Sequence, residues 1–575
     1  MELSTSRPRV IGWLRSAAIL DGDWGTSVAY VLGIAFALAG YNSGWHLLMM
    51  LMLTAMVAVN YITICRLYPN GGGVYSSVSH RSRTLAVVGA MLLSADYVVT
   101  TSLSVLDGCH YLGLSNPELY AIAVILAIGV LNWFGPRHAG TVATLISLAT
   151  LVALLILVAA TGKTVTTHFH LQPMTGNPLD NWRAFVGIIL SISGIEAISN
   201  MTAVMKNPTK NSRRAILAVL AKITVVTVFL TLAMLALPNV DRMAHKEIMI
   251  RFLGETYVGA WFGPLIGSVL GLLLISAGNT AINDLVSIQF LMAVDGELPR
   301  PLRLLNKYGM PVYPLIVATV IPIIVLLLIN DVLTLAQLYA IGVVGAILIN
   351  VGSTGTDKAL SLSPLKRAFM MCSALVLFFI EVTIAVEKTK ALAFALIVLA
   401  VGLTARAIAR RQAVRLVVPI SAPTAAVASP GAVPERTATF AFSSRILVAV
   451  RGGGERLLRQ ACEEAKLRHA FLVVLHVKRI SVTGLIPATI PSEAIQEQRW
   501  MEDICHTYGI PHRVMTILSS EVGYTIAEQA ATFGVDQLIL GATQRSLMEK
   551  ALRGDVIRTV SGLLPDEIQL VIYRA

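Results

Sequence analysis

Between residues 16 and 409 the chain repeats apolar stretches of about twenty residues, close to twelve times. Their approximate spans are 16–40, 45–67, 84–112, 119–135, 139–161, 183–205, 212–237, 256–285, 312–330, 332–352, 367–386 and 390–409. A helix of about twenty apolar residues matches the hydrocarbon core of a bilayer, so each stretch reads as one crossing. Only 14% of the residues are charged, against about 25% in soluble domains, and water cannot bathe most of this chain. The expected class is an all-α polytopic membrane protein embedded in a lipid bilayer. The net charge of +12 lies mainly on alternate loops. With the N-terminus inside, inner loops hold Arg66, Arg81, Arg83, Arg137, Lys206, Lys210, Arg213 and Arg214 among others, and outer loops chiefly Lys163, Arg242, Lys246, Arg251, Lys388 and Lys390. That bias fixes both termini on the cytoplasmic side and makes the charge a topology signal, with no nucleic acid partner implied. No small-residue cleavage site follows the first apolar stretch, which therefore reads as a start-transfer helix.

From residue 416 the character changes. Pro419, Pro423, Pro430 and Pro434 lie among Ala, Ser, Thr and Val through residue 442, a linker composition. The division expected is a transporter domain over 1–415, a linker over 416–442 and a cytoplasmic domain over 443–575. In the last part, apolar runs at 446–450, 471–477, 513–517, 537–542 and 568–573 alternate with amphipathic stretches at 454–468, 491–507, 521–533 and 546–563. Strand alternating with helix predicts a small α/β doubly wound parallel sheet, which binds ligands at the carboxyl ends of its strands. The five cysteines show no metal or disulfide spacing, and Cys462 and Cys505 read as thiols of a reducing compartment. His476, His506 and His512 read as surface or strand-end residues; with no nucleophile–base pairing in view, an enzyme is not expected.

Two crossings are interrupted. Asp23 lies in Leu20-Asp21-Gly22-Asp23-Trp24-Gly25-Thr26-Ser27, with apolar sequence on both sides. A carboxylate at that depth costs a few kcal/mol and belongs in a cavity or beside a partner. The plainer alternative makes Asp21 and Asp23 caps of a short helix. Segment 183–205 contains Ser191-Ile192-Ser193-Gly194-Ile195-Glu196, again small residues with a carboxylate. Interruptions in the first and sixth crossings are equivalent if ten helices form two inverted five-helix halves, the pattern that points to a midplane binding site. Glu196 is then either a proton-exchanging group or a structural carboxyl that stays protonated.

These motifs carry a resemblance. Gly22-Asp23-Trp24-Gly25-Thr26-Ser27-Val28-Ala29-Tyr30 resembles the GDxGTS-x-x-Y signature of the Kup potassium-uptake permeases. Tyr68-Pro69-Asn70-Gly71-Gly72-Gly73-Val74-Tyr75, Gly194-Ile195-Glu196-Ala197-Ile198-Ser199-Asn200 with Lys206-Asn207-Pro208, Asn279-Thr280, and Leu338-Tyr339-Ala340-Ile341-Gly342-Val343 resemble the KimA-type potassium importers of the amino acid–polyamine–organocation superfamily. The resemblance covers roughly 16–410 and implies a LeuT-like fold, a bacterial inner-membrane location and potassium import by alternating access, with protons as the coupling partner. It also implies a set of potassium-binding positions: Asp23, Tyr30, Asp96, Tyr97, Thr100, Ser104, Ser193 and Tyr339, with Glu196 in proton coupling. Independently, Asp96, Thr100 and Ser104 at i, i+4, i+8 share one helix face and offer carboxylate and hydroxyl oxygens, which suit potassium. The rival is a proton-coupled amino-acid or organic-cation (polyamine) symporter; Asp23 would repel a substrate carboxylate at the first break. Lys222, inside the seventh crossing, either snorkels to the cytoplasmic interface, the favoured expectation, or acts as a tethered cation.

The tail resembles the universal stress protein domains. Gly541-Ala542-Thr543-Gln544 followed by Gly554-Asp555 keeps the spacing of that family's nucleotide loop, with Gln544 and Asp555 departing from it. Arg451, Arg545, Arg553, Gly541 and Gly554 form the expected nucleotide site, and guanidinium groups suit a strongly anionic ligand. Cyclic di-AMP is favoured there over ATP or AMP as a regulatory nucleotide, since the resemblance implies it; no other cofactor is expected. The alternative is a tail that serves only to join a homodimer.

Overall fold

The protein is described from a computed structural model, which covers residues 11–69, 71–135, 139–168, 173–237, 242–306, 308–415, 444–450, 454–479, 492–519, 522–542, 556–565 and 567–573. The stretch 416–442, read above as a linker, lies outside these residues, as do Arg451, Arg545, Arg553 and Gly554.

The first crossing is two helices, α1 (Trp13–Asp21) and α2 (Ser27–Ala39), joined by a 3-10 turn at Trp24–Thr26. Then come α3 (Ser43–Leu67), the short α4 (Val74–Ser79), α5 (Arg83–Tyr111), α6 (Pro117–Trp133) and α7 (Ala139–His168). The sixth crossing is again broken: α8 (Pro178–Gly187), a 3-10 turn at Ile189–Ile192, and α9 (Ala197–Met201). The helical part closes with α10 (Pro208–Ala236), α11 (Met249–Tyr257), α12 (Phe262–Val294), α13 (Val312–Leu328), α14 (Val332–Thr356), α15 (Pro364–Glu387) and α16 (Thr389–Arg415).

Eight described stretches are long and apolar enough to span a bilayer. One of them, Trp24–Leu67, holds both α2 and α3, and the 17-residue α6 and α13 are shorter apolar helices. With the broken sixth segment, the described helices account for each of the twelve apolar stretches of the sequence. The eighth runs over Phe262–Val294 and not 256–285: Gly259, at φ +134°, ends α11 and turns the chain before α12 begins. The most extensive packing is of α5 on α12 and on α14, so the helix carrying Asp96 runs through the middle of the bundle.

The tail is a five-stranded parallel sheet in the order β3-β2-β1-β4-β5: β1 (Arg445–Val450), β2 (Phe471–Arg479), β3 (His512–Ser519), β4 (Gln537–Gly541) and β5 (Gln569–Tyr573). Helices α17 (Glu455–Leu467) and α18 (Ser492–Tyr508) follow β1 and β2, and α19 (Val522–Phe533) and α20 (Val556–Ser561) follow β3 and β4. Strands covered on both faces must be apolar on both. Ile446 and Val448 of β1 enter one core with Leu458 and Met501, while Leu447 enters the other with Ile526 and Val560. Cys462 and Cys505 meet in the first core as free thiols, Sγ to Sγ 3.8 Å. His476 corrects the sequence reading: it lies within β2 and is buried, because β2 is an inner strand of the sheet. Leu518 of β3 packs against Phe290, Val294 and Leu305 of the helical part.

Candidate cation-binding site

The two helix breaks meet. At the first, α1 ends at Asp21 and Asp23 leaves helical register at φ −116°, ψ −73°. The Thr26 hydroxyl donates to the Asp23 carbonyl and Ser27 Oγ to the Trp24 carbonyl at 2.7 Å, so side chains replace lost helical bonds. At the second, Gly194 sits at φ +90°, and a Cβ there would fall 2.5 Å from the Trp24 nitrogen and 2.9 Å from the Asp23 carbonyl carbon. Only glycine combines that dihedral with such an approach. The Gly194 amide donates to both Glu196 carboxylate oxygens, at 3.3 and 3.1 Å.

The third crossing supplies the opposite wall. Asp96, Tyr97, Thr100 and Ser104 of α5 are all buried. Thr100 Oγ1 donates to the Asp96 carbonyl at 2.9 Å and lies 3.5 Å from Asp96 Oδ1, while Asp96 Oδ2 has no hydrogen-bond partner among the described residues. Tyr97 accepts from Asn200 Nδ2 of α9 at 3.4 Å, which ties α5 to the sixth crossing. Ser104 lies one turn beyond Thr100 on the same face. From α14, Gly342 lets the helix close on α5: a Cβ there would lie 2.9 Å from the Asp96 nitrogen. One turn earlier Tyr339 meets the Tyr30 hydroxyl of α2 and also Ser193, linking the first, sixth and tenth crossings. Asp96 is within electrostatic range of Asp23 and Glu196, and Glu196 of Asp23 and Asp284. The charged groups that act most on Asp96 and Glu196 are carboxylates. In a low-dielectric interior such a cluster needs cations or protons to balance it.

Every one of the expected potassium-site residues is therefore buried, and Asp23, Tyr30, Asp96, Tyr97, Ser193, Glu196 and Tyr339 converge on the two breaks. Asp284 on α12 joins them although the sequence reading passed over it; a lone carboxylate in an apolar run was the available signal. Lys222 requires a correction. It does not reach an interface: its ammonium lies 2.6 and 2.7 Å from the two Asp21 oxygens, with the Lys222 and Asp21 side chains 8% and 4% exposed. Ser147 of α7 donates to the same carboxylate at 2.6 Å. Asp21 is thus more than a helix cap: its ion pair joins α1 to α10 and its hydrogen bond joins α1 to α7, and Gly25 fits beside it because a Cβ there would fall 1.9 Å from Asp21 Oδ1.

On the α2–α5 side the site is shut. The carbonyl of Lys246, in a 3-10 turn over Lys246–Ile248, sits against Gly33, where a Cβ would be 1.6 Å from its oxygen. The space left under that turn, lined by Tyr30, Ile34, Glu247 and Val332, holds no more than about one water.

In the tail, β1 and β4 are parallel neighbours, so their carboxyl ends lie side by side at one sheet edge, with Gly541 closing β4. The rest of the expected nucleotide site lies outside the described residues.

Residues 11–403 match the amino acid permease family, and residues 443–565 the universal stress protein family. The potassium transporter KimA of Bacillus subtilis is 27% identical over 317 residues, 50% of this chain and 51% of that protein. The uncharacterized protein MJ0609 of Methanocaldococcus jannaschii is 23% identical over 297 residues, 48% of this chain and 66% of that protein. The chain thus spans about half to two thirds of the length of these relatives. A crystal structure of a universal stress protein in complex with cAMP aligns at 18% identity and a TM-score of 0.19, covering 23% of this chain and 96% of that one.

Proposed function

The chain belongs to the amino acid permease family, a family of membrane transporters and not of enzymes, and from that premise we propose that it imports potassium. The observation that carries the reading is the cluster of Asp23, Asp96 and Glu196 at two abutting helix breaks, ringed by the hydroxyls of Tyr30, Thr100, Ser193 and Tyr339. Potassium is held by oxygens that replace its water, and each carboxylate offsets much of the dehydration cost where the dielectric is low. The similarity to a protein named as a potassium transporter supports the same substrate. In this reading both termini are cytoplasmic in a bacterial inner membrane, import is potassium/proton symport by alternating access between two inverted halves, and Glu196 exchanges the proton. The tail binds a regulatory nucleotide, cyclic di-AMP by preference, and pairs two chains. The amino-acid or organic-cation symporter is the competing reading, favoured by the family description alone.

Complementation of a potassium-uptake-deficient bacterium at low external potassium tests the proposal. Wild-type protein should restore growth, and Asp23→Asn and Asp96→Asn should each abolish it while remaining in the membrane. Growth supported equally by both variants would refute the site. Uptake inhibited by spermidine or an amino acid but not by rubidium would favour the competing reading.

A further inference from the structure

Asp107 stands apart from the residues above. It lies on α5, eleven residues past Asp96, and its side chain is wholly buried. Neither of its carboxylate oxygens has a hydrogen-bond partner among the described residues. Buried polar atoms are almost always paired, and a carboxylate left without donors within a membrane-spanning helix calls for a specific cause. Its surroundings name one. Asp96, Thr100, Ser104 and Asp107 follow a helical spacing along one face of α5, so oxygens line about 16 Å of the helix with a carboxylate at each end. Tyr30 of α2 is within electrostatic range of both end carboxylates, Asp96 and Asp107, and of Asp23. The charged group that acts on Asp107 is another acid, Glu247, in the turn seated over Gly33. The histidine one turn on, His110, points to Glu247 at 3.7 Å and not to Asp107.

We propose that Asp107 forms a second cation site, between the Lys246–Ile248 turn and the Tyr30–Tyr339 pair, where the transported monovalent cation sheds water before reaching Asp23 and Asp96. The proposal rests on the potassium reading. A two-step transfer divides the dehydration, and a binding site must be joined to others for an ion to leave it again. Carboxylate, Ser104 hydroxyl and Tyr30 hydroxyl are hard oxygen donors that suit an alkali cation and offer nothing to a soft metal.

The test uses the full-length protein in liposomes and in crystals, with rubidium as the probe. Asp107→Asn should raise the rubidium KM about tenfold or more while the rate at saturation stays within about threefold of wild type. Asp107→Glu, which keeps the carboxylate, should stay close to the wild-type KM. Rubidium anomalous density should appear beside Asp107 in the wild type and vanish in Asp107→Asn, with the density between Asp23 and Asp96 retained. An unchanged KM with no density at Asp107 would overturn the proposal. So would an unchanged KM accompanied by loss of the response to a proton gradient, which would make Asp107 a proton carrier. Density at Asp107 in a wild-type protein that takes up no rubidium would count against import while supporting the site.

Discussion

Replacing Lys222 by methionine isolates what a buried ion pair contributes to a broken helix. Methionine keeps the length and apolar stem of the side chain and deletes the ammonium that touches both Asp21 oxygens at 2.6 and 2.7 Å. Removing one partner of a buried pair costs about 3–5 kcal/mol, because the other charge remains without compensation. Ser147 still donates to Asp21 at 2.6 Å, and one hydrogen bond to a charged group contributes about 1.5–3 kcal/mol, so the lower end, about 3 kcal/mol, is expected. Asp21→Asn with Lys222→Met removes both charges together, and the double variant should lie within about 1 kcal/mol of wild type, a coupling of about 2 kcal/mol or more. Membrane proteins often unfold irreversibly, so the quantity to measure is the rate of thermal inactivation at one temperature. If the pair is lost before the unfolding barrier, about 3 kcal/mol corresponds to roughly a hundredfold faster inactivation for Lys222→Met, largely reversed in the double variant. A double variant that inactivates as fast as the product of the two single effects would refute the reasoning, since it would show that the charges do not interact.

Gly194→Ala should destabilise by about 2–5 kcal/mol, adding the strain of a positive φ to overpacking against the Asp23–Trp24 backbone; thermal inactivation indistinguishable from wild type would show that the breaks do not abut. Glu196→Gln should abolish the response of potassium uptake to an imposed proton gradient, and a full response would remove Glu196 from coupling. In the tail, burial holds the His476 imidazole below its ordinary value, opposed by Glu497 and aided by Lys478. The unfolded chain, with a histidine pKa near 6.5, then binds the proton more readily, so the stability of the tail is full above about pH 6.5 and declines as the pH falls below it. Urea unfolding of residues 443–575 should show this decline, and His476→Phe should reduce it; equal midpoints at about pH 5.5 and pH 7.5 in the wild type would contradict the assignment.

Crossings and strands were legible because each is a local pattern. An apolar run marks α10 or α14 whatever it packs on, and the five tail strands fall where the sequence places them to within two residues. The breaks were legible as well, since a carboxylate flanked by glycines within an apolar run cannot sit in an unbroken helix facing lipid without a large desolvation cost. Pairings between distant helices were not. Asp21 and Lys222 are 201 residues apart, and nothing local states that α1 lies against α10, so the long lysine stem suggested an interface. Asp107 and Asp284 escaped notice for a similar reason: the importance of each comes from Tyr30 or Asp23 on another helix. The close approach of Gly342 to Asp96 likewise belongs to the packing of α14 on α5.

The seat of Lys246 on Gly33 bears on speed. Main chain rests there on main chain, with no side chain whose rotation could clear the way. Rotamer changes take picoseconds to nanoseconds, whereas displacing a backbone segment takes microseconds to milliseconds. Under the import reading proposed above, each passage of an ion from that side would wait on a slow displacement, which caps turnover at about 10³ to 10⁶ ions per second however strongly the ion is driven. The chain should behave as a carrier with a saturable rate, and no voltage or gradient should make it conduct as an open pore does.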